Sequence, residues 1–301
     1  MPEAQHVAWV VPTHRDHFTF AQRLLEGVRE HALCVDVHFV LGERAEVDEF
    51  AALAGDLGGG SLISANEHFA NGRFERYLAA RSVINTKKFL GLHLLMDRYD
   101  LLCTLDSELV VLGPGDVRAS YAVRAERRAY PAHAVEVPFM RQVVQSPARL
   151  LGFDVEERIL DEVTQGGRLY AWFEDVPTYE SQTLRRMFEW LGAGSDVTVL
   201  CDRLSWYDFD HILYQYYCCC FDGWRLEDLG WPAPEVTGAW WELFSADRSE
   251  DRERAAELAA GWSPSWVRDP RLLSVVPSAF LAFHQDRPLG EEIERVSDFE
   301  P

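Results

Sequence analysis

The sequence predicts an α/β fold built on a mostly parallel, Rossmann-like sheet flanked by helices. Short apolar runs such as "HVAWVV", "VDVHFVL" and "YDLLCTL" recur along the first third. Between them lie longer stretches whose apolar residues repeat at helical spacing. The two kinds of segment alternate, as they do when each strand is followed by a helix that packs back on the sheet.

Taken in order, "HVAWVVPTH" predicts a strand over His6–Val11 closed by Pro12. In "FTFAQRLLEGVREHA", Phe20, Leu24, Leu25 and Val28 share a helix face. "VDVHFVLG" is a second strand ended by Gly42. "AEVDEFAALAGDLG" is a short helix, and the glycines at 58–60 break the chain. "SLISA" is a third, weaker strand. "RFERYLAARSVINTKKFLGLHLLMDRY" is strongly helical with a break near Asn85, and it leads into the strand of "YDLLCTLDSELVVLGPG". The second half is less regular. "DVEERILDEVTQ" and "TYESQTLRRMFEWLG" read as helices, "GRLYAWF" and "VTVLC" as strands, Arg252–Ala260 as a short helix, and "LLSVVPSAFLAFHQDRP" holds a last strand. Neither an internal repeat nor a clean linker divides the chain. One domain over 1–301 is therefore expected, with a site-bearing half at 1–115 and a substrate-facing half at 116–301.

Composition narrows the partners. The chain has 301 residues, 48% hydrophobic, so it can bury a substantial core. Its 49 acidic against 29 basic side chains give a net charge of -20, which opposes a nucleic-acid polymer or an anionic membrane as partner. Lys87 and Lys88 are the only lysines. No secretory signal and no transmembrane segment is read. The six cysteines, three of them consecutive at 218–220, fit neither zinc spacing nor a disulfide framework, which suits free thiols in a cytoplasmic protein.

The chemistry gathers at Asp106-Ser107-Glu108. Two carboxylates at i and i+2 share a face of a straight strand, and at a strand end both can reach one hard cation. Magnesium or manganese binds few protein carboxylates and completes its shell with phosphate oxygens and water. Such an ion would bridge a diphosphate and stabilise it as it leaves. The alternative is a solvated acidic turn, which the apolar runs on both sides disfavour. Open α/β sheets bind ligands outside the carboxyl ends of their strands, where both "VVPTHRD" and "TLDSE" are expected.

With these residues in place, the first 112 or so resemble the nucleotide-sugar glycosyltransferases of the GT-A fold. The resemblance rests on a first strand ending in "VVPTH", an apolar strand leading to an Asp-x-Asp-like motif, here ending in Glu108, and a basic residue on the helix before it. It implies that Val10 to His14 cradle the nucleoside. It also implies that Asp106 and Glu108 hold a divalent cation, Mn2+ or Mg2+, and that the donor is a nucleotide-diphosphate sugar. His284, near the C-terminus, would be a further metal ligand. The candidate nucleotide-sugar contacts are Pro12, Thr13, Arg15, Asp16, Lys87, Asp106 and Ser107. Arg15 suits phosphate through its fork of donors, although Asp16 or Thr19 capping the next helix explains that loop equally well. Lys87 is preferred over Lys88 as the diphosphate contact, one facing the cleft and its neighbour solvated. Asn85 is a weaker companion.

On the acceptor side, a hydroxyl-bearing glycan or small molecule, a general base is needed. Asp175, after "LYAWFE" and before Pro177, is the first candidate, with Glu174 beside it. Asp208, in "WYDFDHILYQYY", is the second, near Asp210 and His211. That aromatic segment also reads as a packed helix face through Phe209, Ile212, Leu213 and Tyr216, and Cys218–Cys220 as a buried helix end. The function expected is thus a metal-dependent glycosyltransferase. A sugar nucleotidyltransferase is the nearest alternative, though "VVPTHRDHF" lacks the glycines that grip a triphosphate. A non-catalytic carbohydrate- or protein-binding module is the other.

Overall fold

The computed structural model describes residues 6–31, 33–70, 72–109, 117–133, 138–152, 170–171 and 176–228. The chain opens with β1 (Val7–Pro12), a 3₁₀ turn (Arg15–His17) and α1 (Phe18–Glu30). Then come β2 (Asp36–Leu41), α2 (Arg44–Ala54), β3 (Ser61–Ser64), α3 (Ala65–His68), α4 (Arg73–Ala79), α5 (Val83–Leu95) and β4 (Leu101–Thr104). After β4 follow α6 (Val117–Arg127), β5 (Ala129–His133), α7 (Pro138–Leu151), β6 (Tyr170–Ala171) and β7 (Thr178–Glu180). The last described elements are α8 (Ser181–Trp190), α9 (Thr198–Cys201), α10 (Asp210–Phe221) and β8 (Arg225–Asp228).

The main sheet has the order β3-β2-β1-β4-β7. β1 pairs in parallel with both β2 and β4, β2 in parallel with β3, and β7 closes the edge antiparallel to β4. A mostly parallel sheet flanked by helices is therefore the architecture, as the alternating sequence pattern predicts. A second, smaller sheet runs β6-β5-β8. Among the described residues, no helix is long and apolar enough to cross a membrane.

The period of two in β1 divides the core. Val7, Trp9 and Val11 face α1 and α2 with Leu24, Phe39 and Phe50. Ala8 and Val10 face the other layer with Phe89, Leu92 and Phe188. In that second layer α5 lies directly on the sheet, and residues 85–92 are all buried. Gly91 makes this possible, because a Cβ there would overlap Val10 Cγ1 and crowd Val40 Cγ2. The close approach has a consequence for charge: α5 runs back against the strands, so its first turns, with both lysines, lie at the carboxyl ends of β1 and β4.

Three sequence expectations are corrected. The break in the long helix falls at Ala80–Ser82 rather than near Asn85, where Arg81 turns to a left-handed φ of 54° between α4 and α5. "TYE" after Pro177 is strand β7, and the helix begins only at Ser181, because that segment completes the sheet edge against β4. "VTVLC", read as a strand from its β-branched residues, forms the short helix α9, so local context overrides propensity there. The expected helix at 154–165, the short helix at Arg252–Ala260 and the last strand lie outside the described residues.

Candidate functional site

The chain winds outward from β1 through β2 to β3, then returns across the sheet to place β4 on the other side of β1. The order reverses between β1 and β4, which makes their carboxyl ends the topological switch point where open α/β sheets bind ligands. Pro12, Thr13 and His14 leave β1 there, and Leu105 to Leu109 leave β4 beside them. The ladder reaches past both strands, with Leu105 N donating to Val10 O at 3.1 Å and Thr13 N to Val40 O at 3.0 Å.

Asp106 does not stand on a strand. β4 ends at Thr104, and Asp106 to Leu109 form a turn in which Leu109 N donates to Asp106 O at 3.2 Å. The two carboxylates of the i, i+2 pair therefore take different nearest partners. Asp106 turns to α5, where Lys88 Nζ lies 2.8 Å from its Oδ1. Glu108 turns to the 3₁₀ turn, with its Oε2 3.4 Å from His17 Nδ1 and accepting from Ser107 Oγ at 3.4 Å. Ser107 Oγ is also 3.4 Å from His17 Nδ1.

Behind Asp106 lies a chain of buried polar groups. Lys88 Nζ is 3.8 Å from Asp210 Oδ1, at the first residue of α10. Asp210 is 0% exposed, and its Oδ2 accepts from Thr104 Oγ1 at 2.6 Å and from Tyr179 OH. Burial opposes both charges. For Asp210, Lys88, the neighbouring His211 and the bond from Thr104 outweigh it and hold the carboxyl well below its usual range. For Lys88, burial is outweighed by Asp106 and Asp210, and the ammonium titrates above an ordinary lysine.

Lys87, one position earlier, makes a different contact. Its Nζ donates to Thr13 O at 2.6 Å at the end of β1. Burial lowers it to about 8, with Glu46 pulling the other way. Neither lysine is solvated, which corrects the expectation that one faces the cleft while its neighbour is solvated. Residues 85–92 are all buried, so consecutive positions on this helix both lie inside. Thr13 is 2% exposed, and among the described residues its Oγ1 has no hydrogen-bond partner. His14 packs against His17 in a tilted arrangement with ring centroids 4.0 Å apart, and burial, then His17 and Lys87, lower its pKa.

The other candidates sit as follows. Pro12 is buried at the end of β1, opposite Val40. Arg15 turns outward to Glu49, 2.8 Å away, and its amide donates to Glu46 Oε1 at 3.3 Å. Asp16 is exposed beside His14. Asn85 donates to the carbonyls of Ser205 and Trp206, tying α5 to the turn before α10. Asp208 is fully buried in that turn, its Oδ2 accepting from Ser205 N at 2.6 Å and Ser205 Oγ at 2.7 Å. Glu174, Asp175 and His284 lie outside the described residues. Sequence reasoning missed His17, which no motif marks, and the place of Lys88 and Asp210 beside Asp106.

Asp106 and Glu108 hold different partners, Lys88 and His17, so a divalent cation shared by the two would have to displace Lys88 from Asp106. Among the described residues, no group of three or more His, Cys, Asp or Glu could hold a metal ion. The manganese or magnesium expected between these two carboxylates is thus not supported by their arrangement.

No protein-family model matches the chain, and no curated protein matches it. Among solved structures, the chain is similar to one described as the apo form of the bifunctional glycosyltransferase WbbM. The identity is 11% and the TM-score 0.40, over 76% of this chain and 39% of that one. The chain thus spans about two fifths of that structure's length.

Proposed function

We propose that this chain is a glycosyltransferase that takes a sugar from a nucleotide-diphosphate donor to a hydroxyl acceptor, with the donor at the carboxyl ends of β1 and β4. One observation carries the reading: at the switch point, the buried Lys87 ammonium meets the end of β1 at Thr13, whose buried hydroxyl has no hydrogen-bond partner among the described residues, and a partly exposed carboxylate, Asp106, leaves the neighbouring β4. Lys87 and Thr13 would meet the diphosphate, whose charge Lys87 balances as it leaves. Asp106, 29% exposed, would accept from hydroxyls of the ribose or sugar. Residues 1–115 form the donor half in this reading, and 116–301 the acceptor half. Deprotonation of the acceptor is assigned to Asp175, since the Asp208 carboxylate is sealed in its turn and held by Ser205. Six free cysteines suit a reducing, cytoplasmic setting.

The test is release of nucleoside diphosphate from a panel of UDP- and GDP-sugars, with simple glycosides as acceptors. The reading expects turnover with at least one donor that Asp106→Asn and Lys87→Met each lower by about a hundredfold. Failure of every donor, or full activity in both folded variants, contradicts it.

A further inference from the structure

We infer that Lys88 fills, on Asp106, the place a divalent cation would take, so that the crevice receives its nucleotide diphosphate without one. This rests on the reading of the crevice as a nucleotide-sugar site, but its own basis is the placing of the buried charges.

Lys88 Nζ is 2.8 Å from Asp106 Oδ1 and 3.8 Å from Asp210 Oδ1. It cannot withdraw easily. The side chain is nearly sealed, on a helix buried from 85 to 92, so leaving would strip two carboxylates of a nearby positive charge in a setting with little water. Asp210 is itself fixed by Thr104 and Tyr179, from β4 and β7. Three elements therefore hold the ammonium where it is. The second carboxylate of the motif is engaged by His17 and Ser107, and it acts on Lys88 only as a weaker, more distant charge than Asp106 and Asp210.

The consequence is a division of labour. Lys88 and Asp210 are positioning residues that present Asp106 as a hydrogen-bond acceptor of fixed direction. Positive charge for the phosphates comes from Lys87, whose ammonium donates to Thr13 O at the end of the neighbouring strand. The carboxylate faces hydroxyls, and the diphosphate is kept to the β1 side, away from the charges of Asp106 and Asp210.

Calorimetry on the full chain tests this with three probes: manganese chloride alone, and UDP and GDP each titrated in EDTA and in manganese. The expected result is no manganese binding that depends on Asp106, and a nucleotide affinity that agrees within about twofold between EDTA and manganese. Manganese binding that Asp106→Asn removes, or an affinity raised about tenfold or more by manganese, overturns the inference. Lys88→Ala should acquire manganese binding, because Asp106 and Asp210 are then uncompensated; a folded Lys88→Ala without that gain also counts against it. Should that variant not fold, the wild-type titrations decide. If neither nucleotide binds, the glycosyltransferase reading fails, while the manganese titration still settles the role of Lys88.

Discussion

The ammonium of Lys88 lies 2.8 Å from the carboxylate of Asp106 and joins α5 to the turn that leaves β4. Its second neighbour, Asp210, is wholly buried, whereas Asp106 is partly open. The two ends of this arrangement should therefore respond differently to mutation. Lys88→Met strands a buried carboxylate and is expected to lose roughly 3 kcal/mol of stability. Asp106→Asn removes a partly hydrated partner, and about 1 kcal/mol is expected. Urea unfolding of both variants checks this, and equal losses would contradict the geometry.

Lys87 gives a pH signature of two opposite signs. In the unfolded chain it titrates near 10.5, and in the folded one near 8. Between those values the unfolded state binds more protons, so this group makes stability rise with pH from about 8 to 10.5. Nucleotide affinity should do the reverse and fall as pH passes 8, because the anion needs the protonated form. Lys87→Met is expected to raise the melting temperature at pH 7 while weakening UDP or GDP binding by about tenfold. Parallel melting and calorimetric series across this range check both limbs.

Gly91 sets the distance between α5 and β1. A methyl group there meets Val10, which as a β-branched strand residue has little freedom to move. Gly91→Ala should destabilise by about 1–3 kcal/mol, by overpacking. Because the shift displaces both lysines, nucleotide affinity should fall as well. Affinity unchanged at reduced stability would show that the lysines do not depend on this contact.

Much of the first half was legible in the sequence, for a physical reason. Strands buried on both faces leave apolar runs, and helices between them leave a period near 3.6, so β1, β2, β4 and α1 could be read directly, while α4 and α5 were read as one long helix with its break misplaced. The ends of β1 and β4 then located the crevice. What could not be read is what depends on turns and on distant partners. Whether Asp106 and Glu108 share a face depends on β4 ending at Thr104, which an apolar run continuing to Leu112 conceals. The partner of Asp106 comes from α5, and the group that anchors this partner from α10, far along the chain. Choosing Lys87 over Lys88 assumed that one of two neighbours faces water. That assumption fails on a helix packed on all sides. In the second sheet, β6 falls within "GRLYAWF", read as a strand, whereas β5 and β8 gave no distinctive pattern.

His38, at the other end of β2, supplies an acid limb. Its Nδ1 lies 2.8 Å from Ser61 Oγ, and its Nε2 2.9 Å from Tyr99 OH, whose hydroxyl donates to Asp36 Oδ2. Burial, then Arg98, lowers the imidazole from 6.5 to about 4 against the pull of Asp36. The unfolded chain takes the proton first, so stability is full above 6.5 and is lost as pH falls towards 4, by an amount on the order of 3 kcal/mol. NMR should show the His38 ring titrating near 4, and a midpoint near 6.5 in the folded protein would contradict the buried, bonded state.

The most direct test of the glycosyltransferase reading is a crystal structure of the chain grown with saturating UDP or GDP. The account predicts the diphosphate within hydrogen-bond distance of Lys87 Nζ and Thr13 Oγ1, with ribose hydroxyls on the side of Asp106 and the Lys88–Asp106 pair unbroken. A nucleotide bound away from the carboxyl ends of β1 and β4, or no bound nucleotide with either probe, would contradict it.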